Sequence, residues 1–234
     1  LFEVEALKQT TEDGVNREQA LWYHHEVADM MLISGLFARA NGQNFSAEFW
    51  KRLEAMLEFI ASMLNVAGAM PMIGDSDEAM LVQFSREPGF DVYSSLLATS
   101  AVLFGRGDFK LKAKNFDDKS RWLLGDASAS QFDALTVPAT EAPKQSFPLG
   151  GYYLLGKDFG ATDEVKLIAD CGPLGYLAIA AHGHADALAF TLSAAGEMLL
   201  IDPGTYAYHT QKEWRDYFRS TQAHNTLCLD GQDQ

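Results

Sequence analysis

Residues 136–148, TVPATEAPKQSFP, contain three prolines and follow neither helical nor strand periodicity. The pattern before them is helical, and the pattern after them consists of short apolar runs bounded by turn residues. The sequence therefore predicts a helical part over residues 1–135, a linker over 136–148 and a strand part over 149–234. Helices first and antiparallel strands second favour two packed modules over an alternating parallel α/β fold.

Two amphipathic segments dominate the helical part. Residues 17–40 carry a broad apolar stripe, and Asn41-Gly42 is a typical helix end. Ser46 is a good N-cap for a second helix, whose apolar residues recur at positions i, i+3, i+4 and i+7. Further helical pieces are predicted over residues 92–104 and 120–124. Strongly apolar faces joined by loops of modest length are typical of antiparallel helix pairs.

The strand part is predicted from short apolar runs bounded by Gly, Pro or Asp. Ala194-Ala195-Gly196-Glu197 is interpreted as a hairpin turn between two of these strands. The predicted strands are Gly151–Lys157, Val165–Cys171, Ala187–Ser193, Met198–Asp202 and Thr226–Asp230.

Composition excludes several classes of function. A chain of 234 residues with 47% hydrophobic and 12% aromatic residues can bury a sizeable core. The net charge of −14 excludes a double-stranded nucleic acid as partner and argues against a heavily sulfated polyanion, but a weakly charged acidic sugar polymer remains compatible with it. No apolar run is long enough to span a membrane. The start at Leu1 has no signal-peptide pattern and suggests a piece of a longer chain.

The two cysteines, Cys171 and Cys228, lie in apolar, strand-like contexts. One disulfide between them is possible, but two buried free thiols are the favoured interpretation. Neither alternative decides the cellular compartment.

Four of the six histidines fall in the last quarter of the sequence. His182 and His184, two residues apart, would lie on the same side of an extended strand. Asp202 follows an apolar run, where it either initiates a turn or binds a metal. Together with His224 these residues could form a nitrogen and oxygen ligand set that suits zinc.

Two further clusters have weaker signals. Residues 74–78, GDSDE, could bind Ca²⁺ or supply a pair of glycosidase carboxylates, but a solvated acidic cluster at a helix start is favoured. Tyr23, His24 and His25 are consecutive on a predicted helix and cannot all face one site. Tyr23 is a candidate general acid or base, although an amphipathic helix residue is the simpler interpretation.

Taken in order, four segments of the C-terminal part resemble the heparinase II/III-like family of polysaccharide lyases. They are His182-Gly183-His184-Ala185-Asp186, Asp202-Pro203-Gly204-Thr205-Tyr206, Tyr217-Phe218-Arg219-Ser220-Thr221 and Ala223-His224-Asn225-Thr226, followed by Asp230-Gly231. Upstream, Glu12-Asp13-Gly14, Glu18-Gln19, Tyr23-His24 and residues 74–77 resemble the end of that family's helical toroid. Residues 90–145 are generic.

The resemblance implies an incomplete (α/α) toroid followed by an antiparallel β-sandwich, with the active site between them. It implies β-elimination at a uronic acid of an acidic polysaccharide or oligosaccharide, giving an unsaturated sugar. Tyr23 is matched to the family's acid or base and His182 to its assisting histidine.

The resemblance also assigns the remaining site residues. One structural zinc ion per chain would be held by His184, Asp202 and His224, and substrate would contact His24, Tyr217 and Arg219. A bacterial protein of this type is expected in the periplasm or outside the cell. The charge favours an alginate-like or unsulfated bacterial exopolysaccharide over heparin.

One feature departs from the family pattern, and two other functions stay open. The family's further catalytic Asn or His precedes the Tyr by about one helical hairpin, before this chain begins, so the chain is expected to lack part of the site. His182-x-His184-x-Asp186 also resembles the start of a metallohydrolase motif, but Ala187 stands where that motif has a third histidine. A non-catalytic polysaccharide-binding protein is the other alternative. The polymer, endo or exo action and the oligomeric state are not decided by the sequence.

Overall fold

The computed structural model describes residues 1–77, 79–84, 89–139 and 143–234. Within these residues, seven α-helices precede five strands, and one α-helix follows them. The helices are α1 Phe2–Gln9, α2 Leu21–Ala40, α3 Ala47–Met63, α4 Val92–Phe104, α5 Gly107–Ala113, α6 Asp118–Leu124, α7 Ser128–Ala134 and α8 Lys212–Arg219; the strands are β1 Ser146–Phe147, β2 Tyr152–Lys157, β3 Val165–Asp170, β4 Phe190–Ala194 and β5 Glu197–Leu200.

Local chemistry fixes the helix ends. The Ser46 hydroxyl accepts a hydrogen bond from the Phe49 N–H at 3.2 Å, which confirms the predicted N-cap of α3. Helix α4 is capped by the Asp91 carboxylate and ends at Gly105, whose φ of +68° is readily adopted by glycine. Helix α2 begins at Leu21 and not at Arg17, because residues 16–19 form a turn in which Gln19 has a φ of +59°.

The helices enclose a first hydrophobic core. Helix α3 crosses its centre, where Phe49, Leu53, Met56 and Leu57 are fully buried. Helices α2 and α4 both pack against it. Side chains three and four positions apart share one face of a helix, so the sequence periodicity located this core correctly.

The five strands form one antiparallel sheet in the order β1-β2-β3-β4-β5. Strands β4 and β5 are joined by the predicted hairpin turn, in which Ala194 pairs with Glu197. Ala195 and Gly196 between them have φ values of +50° and +85°, as a two-residue turn with right-handed strand twist requires. Strand β1 lies inside the predicted linker, of which residues 140–142 fall outside the described part of the chain.

A second core joins the sheet to the helices. The Phe59 ring of α3 contacts Phe147 of β1 and Tyr152 of β2 at centroid distances of 4.9 and 5.2 Å. All three side chains are fully buried. The buried Lys166 ammonium on β3 donates to the Ser62 carbonyl at 3.1 Å and also to the Leu64 carbonyl at the end of α3. The sheet is therefore anchored on α3.

Three predictions for the strand part are wrong. His182 and His184 do not lie on a strand, because the chain runs through an irregular loop in which His182 has a φ of +61°. Residues 226–230 form no strand and contribute only to an isolated bridge between Leu229 and Gln232. Cys171 and Cys228 are free, as favoured, but both are exposed and not buried. Short apolar runs do not distinguish a strand from an extended loop.

No helix among the described residues is long and apolar enough to cross a membrane.

Candidate active site and metal centre

Asp75 lies at the centre of the site. It follows Gly74, whose φ of +73° turns the chain so tightly that a Cβ there would lie 2.8 Å from the Cβ of Ala20. The Asp75 N–H donates to the carbonyl of His182 at 3.0 Å. Asp75 is 2% exposed, so its carboxylate is enclosed between the loop after α3 and the loop before β4.

Three cationic or imidazole groups surround this carboxylate. Nε2 of His184 lies 2.9 Å from Oδ1, and Nδ1 of His182 lies 3.5 Å from Oδ2. The Arg215 guanidinium on α8 binds both oxygens, with Nη2 at 2.7 Å from Oδ2. Burial alone would raise the pKa of Asp75, but the hydrogen bonds from His184 and Arg215 outweigh it and hold the pKa well below its usual range. Asp75 is therefore ionised at neutral pH.

Tyr23 meets His182 across the boundary between helices and strands. Their ring centroids are 3.9 Å apart. The Tyr23 hydroxyl is 2.7 Å from the hydroxyl of Tyr208, which in turn is 3.4 Å from Nδ1 of His182. Burial, with smaller contributions from nearby carboxylates, raises the pKa of Tyr23 despite the hydrogen bond with Tyr208. The phenol is therefore protonated at neutral pH and is suited to donate a proton.

His184, Asp202 and His224 come together, as the sequence predicts. One ligand atom from each of these buried residues lies within 4.8 Å of the others, so the group could hold a metal ion. Nδ1 of His184 and Nε2 of His224 are 3.3 Å apart, and Nε2 of His224 is 3.7 Å from Oδ1 of Asp202. The three atoms point toward one small volume.

The outer hydrogen bonds of both imidazoles fit a metal centre. The outer nitrogen of His184 faces the Asp75 carboxylate, and Nδ1 of His224 lies 2.8 Å from the Ser220 carbonyl. These acceptors favour a proton on each outer nitrogen, which leaves a lone pair on both facing nitrogens. Two lone pairs on nitrogens 3.3 Å apart repel each other unless a cation lies between them. The donor set is therefore chemically suited to a metal ion.

The position of Asp202 is compatible with both roles that the sequence left open. Its carboxylate initiates a turn by accepting from the Gly204 N–H at 2.9 Å and also belongs to the metal group. Burial raises the pKa of Asp202 to about 7, while the Gly204 hydrogen bond and the nearby His184 oppose that rise. A bound cation would favour the ionised form of this carboxylate.

His24, predicted to contact substrate, is buried against α3. It is 2% exposed, its Nδ1 accepts from the Asn16 N–H, and its Nε2 lies 3.0 Å from the Met56 carbonyl. Burial, opposed by the hydrogen bond to Met56, lowers the pKa of His24 to about 4. The helix points His24 and His25 into the core and Tyr23 outward, so the three neighbours do not share one site, as expected.

Tyr217 and Arg219 lie at the end of α8. Tyr217 is 49% exposed, and Nη2 of Arg219 donates to the Gly183 carbonyl at 3.3 Å. A Cβ on Gly183 would lie 2.7 Å from the backbone of Leu174 and Gly175. The small size of Gly183 therefore allows two backbone segments to pack together.

Three residues of the site were missed by the sequence interpretation. Asp75 was assigned to a solvated acidic cluster. This prediction is wrong for Asp75, whose carboxylate is buried, and holds for the exposed Asp77. Glu78 lies outside the described residues. Tyr208 follows the recognised Asp-Pro-Gly-Thr-Tyr segment by only two positions. Arg215 belongs to α8, a helix that was not predicted, so its spacing from Arg219 had no interpretation.

Part of the chain matches a known protein family. A family model described as heparinase II/III-like, C-terminal, matches residues 139–234. The C-terminal part of the chain is therefore similar to the C-terminal domain of the heparinase II/III-like family. The loops that supply His182, His184, Asp202 and His224 all lie within this heparinase II/III-like segment. No curated protein matches the sequence.

Solved structures extend the similarity to the helices. A heparinase III gene product with methylated lysines matches with a TM-score of 0.74 and 20% sequence identity. Heparan sulfate lyase HepC from Pedobacter heparinus matches with a TM-score of 0.71 and 20% identity. Each match covers 99% of this chain and 32% of the other, so the chain spans about a third of those structures. The predicted fold class, toroid helices followed by an antiparallel β-sandwich, is confirmed.

Proposed function

We propose that this chain carries part of the active site of a polysaccharide lyase that cleaves a uronate-containing polymer by β-elimination. The contact of Tyr23 with Tyr208 and His182, across the boundary between helices and strands, carries the proposal. It unites a protonated phenol with an imidazole, the two kinds of group that the reaction needs for proton transfer. The match of residues 139–234 to the heparinase II/III-like family model supports the same reaction class.

His182 is assigned as the base. Asp75 and Tyr208 lie near its Nδ1, and a carboxylate there favours the tautomer with the proton on Nδ1. Nε2 then carries the lone pair, and no hydrogen-bond partner for it occurs among the described residues. Nε2 takes the proton from the carbon next to the uronate carboxylate. Asp75 is a positioning residue in this scheme.

Tyr23 is assigned as the acid. As the carbon loses its proton, the electron pair forms the C=C bond and the glycosidic C–O bond breaks. The leaving oxygen takes the phenolic proton of Tyr23, which the raised pKa keeps in place at neutral pH. Arg219, whose guanidinium has no carboxylate partner among the described residues, is assigned to the substrate carboxylate, whose charge must be neutralised for the proton to become acidic.

His184, Asp202 and His224 are assigned to one zinc ion. Imidazole and carboxylate ligands suit zinc, and the ion would pin the loop that presents His182. Its proposed role is structural. A binuclear metallohydrolase is less well supported, because Asp186 does not belong to the ligand group found among the described residues.

The experiment compares wild type with Tyr23→Phe in the intact protein. Alginate, an unsulfated glucuronate polymer and heparan sulfate are each offered, and the ultraviolet absorbance of the new conjugated C=C bond is followed. Wild type should cleave at least one polymer, and Tyr23→Phe should lose this activity with an unchanged melting temperature. The exposed Tyr153→Phe serves as the matched control. A protein that binds a uronate polymer without cleaving it would instead be the non-catalytic alternative.

A further inference from the structure

An unusual aromatic surface adjoins the site. Tyr206, Trp214, Tyr217 and Phe218, here called the aromatic platform, contact one another ring to ring. Tyr206 stacks on Phe218 at a centroid distance of 5.3 Å with an interplanar angle of 19°. Trp214 lies edge-on to Tyr206, Tyr217 and Phe218 at 5.8 to 6.2 Å. Despite these contacts Tyr206 is 63% exposed, and Trp214 and Tyr217 are each 49% exposed.

The helix α8 explains how the rings share one face. Positions 214, 217 and 218 are separated by three and four residues, so their side chains project from the same side. Other positions of the helix carry charge, including the ion pair of Lys212 with Asp216. No residue of α8 is buried. The rings are therefore exposed hydrophobic groups rimmed by charges, a pattern that marks an interaction site.

The platform continues directly into the candidate active site. Arg215, next to Trp214, places its guanidinium carbon 4.6 Å from the ring centroid of Tyr208 and binds the Asp75 carboxylate. Tyr208 in turn contacts Tyr23 and His182. Arg215 of α8 therefore links the platform to the candidate active site.

The chemistry of the platform indicates its ligand. Residues 205–221 contain five aromatic residues but no Leu, Ile, Val or Met. The faces of pyranose rings present C–H groups. Such C–H groups carry a small positive charge and pack well on the negative face of an aromatic ring. Arg219, beside Phe218 and without a carboxylate partner among the described residues, adds affinity for an acidic sugar.

We infer that the aromatic platform binds sugar rings of the polymer next to the cleaved bond, as a stacking subsite for uronate oligosaccharides. This inference rests on the proposed function, because the polymer is the one on which Tyr23 and His182 act. The platform makes no proton transfer. It contributes binding energy to the ground state and the transition state alike, so its loss raises KM and leaves kcat nearly unchanged.

The test measures binding and turnover separately. In the Tyr23→Phe background, alginate oligosaccharides and unsulfated glucuronate-containing oligosaccharides are titrated, and neutral cello-oligosaccharides serve for comparison. Trp214→Ala and Tyr217→Ala should each raise the Kd about tenfold, a change of ~1.4 kcal/mol. Trp214→Phe retains a ring and should restore most of the affinity. In the active protein the same variants should raise KM, with kcat within about twofold.

Trp122→Ala is the matched control, because Trp122 is 75% exposed on α6 and lies outside the platform. It should leave the Kd and KM unchanged. Equal affinities of wild type and Trp214→Ala, or a loss of kcat without a change in KM, would overturn the inference. If no polymer is cleaved but oligosaccharide binding still depends on Trp214, the stacking subsite stands and the proposed lyase activity fails. If cleavage occurs and Trp214 has no effect on Kd, only the subsite fails.

Discussion

Asp75→Asn should both destabilise the protein and weaken metal binding. The substitution keeps the shape of a side chain that is 2% exposed but removes the charge that Arg215 and His184 neutralise. Removing one partner of a buried ion pair costs about 3 to 5 kcal/mol, and the amide oxygen that remains can still accept one hydrogen bond. We therefore expect a loss of about 3 kcal/mol, or roughly 10 °C in melting temperature for a chain of this length.

The effect on the metal centre has a separate cause. His184 loses the carboxylate that fixes the proton on its outer nitrogen, and loss of such a partner typically lowers metal affinity about 10-fold to 100-fold. Zinc affinity is measured by competition with a chromogenic chelator. The melting temperature is measured by calorimetry after chelation, so that the metal does not contribute to it.

The pH dependence of this difference has a definite sign. Because the folded-state pKa of Asp75 is lowered, its stabilisation is fully present above the ordinary pKa of about 3.9 and is lost as the pH falls toward the folded-state pKa. The difference between wild type and Asp75→Asn should therefore shrink below pH 4. Asp77→Asn, an exposed position in the same loop, should change stability by less than about 0.5 kcal/mol. An Asp75→Asn protein as stable as wild type, with unchanged zinc affinity, would refute the reasoning.

Two other substitutions test neighbouring features. His184→Ala should lower both the melting temperature and the zinc content, which is measured by elemental mass spectrometry. The control His209→Ala, at an exposed position, should change neither. Equal zinc content in the two variants would contradict the assignment. Glu26→Gln tests a carboxyl whose pKa burial and Asp77 raise to about 7. A raised folded-state pKa means that wild type loses stability as the pH rises from about 4 to 7, so the variant should gain in relative melting temperature over that range. A difference that is constant from pH 4 to 8 would exclude this titration.

The sequence predicted the regular part of the fold because its signals are local. The apolar periodicity of α3 and the Ser46 cap are readable within a few residues, and so is the turn at Ala195 and Gly196. The predictions that failed concern residues whose conformation depends on contacts that are distant in sequence. The loop at His182 and His184 is shaped by the Asp75 backbone and by packing of Gly183 on Leu174, contacts between residues far apart in sequence.

For the candidate site too, the sequence predicted some residues and missed others. Because histidines are rare, His184 and His224 were candidate site residues on residue type alone. Tyr23 was predicted from the family resemblance. Asp75 is one of many acidic residues in a chain with 32 of them, and nothing local distinguishes it from the exposed Asp77. The motif around His24 was visible in the sequence, but the orientation of its side chain depends on the packing of α2 against α3.

The contacts of the Lys166 ammonium determine whether the helical half and the strand half of this chain can be separated. It completes the end of α3 by donating to the Ser62 and Leu64 carbonyls, and the neighbouring Glu164 carboxylate accepts from the Val66 N–H at 2.8 Å. The strands thus provide the terminal cap of a helix that lies a hundred residues earlier in the chain. If the two halves were expressed separately, the buried Lys166 ammonium would lose these acceptors. The end of α3 would then lack its cap. Exchange of the strand half between relatives would therefore have to preserve positions 164 and 166 together with the end of α3.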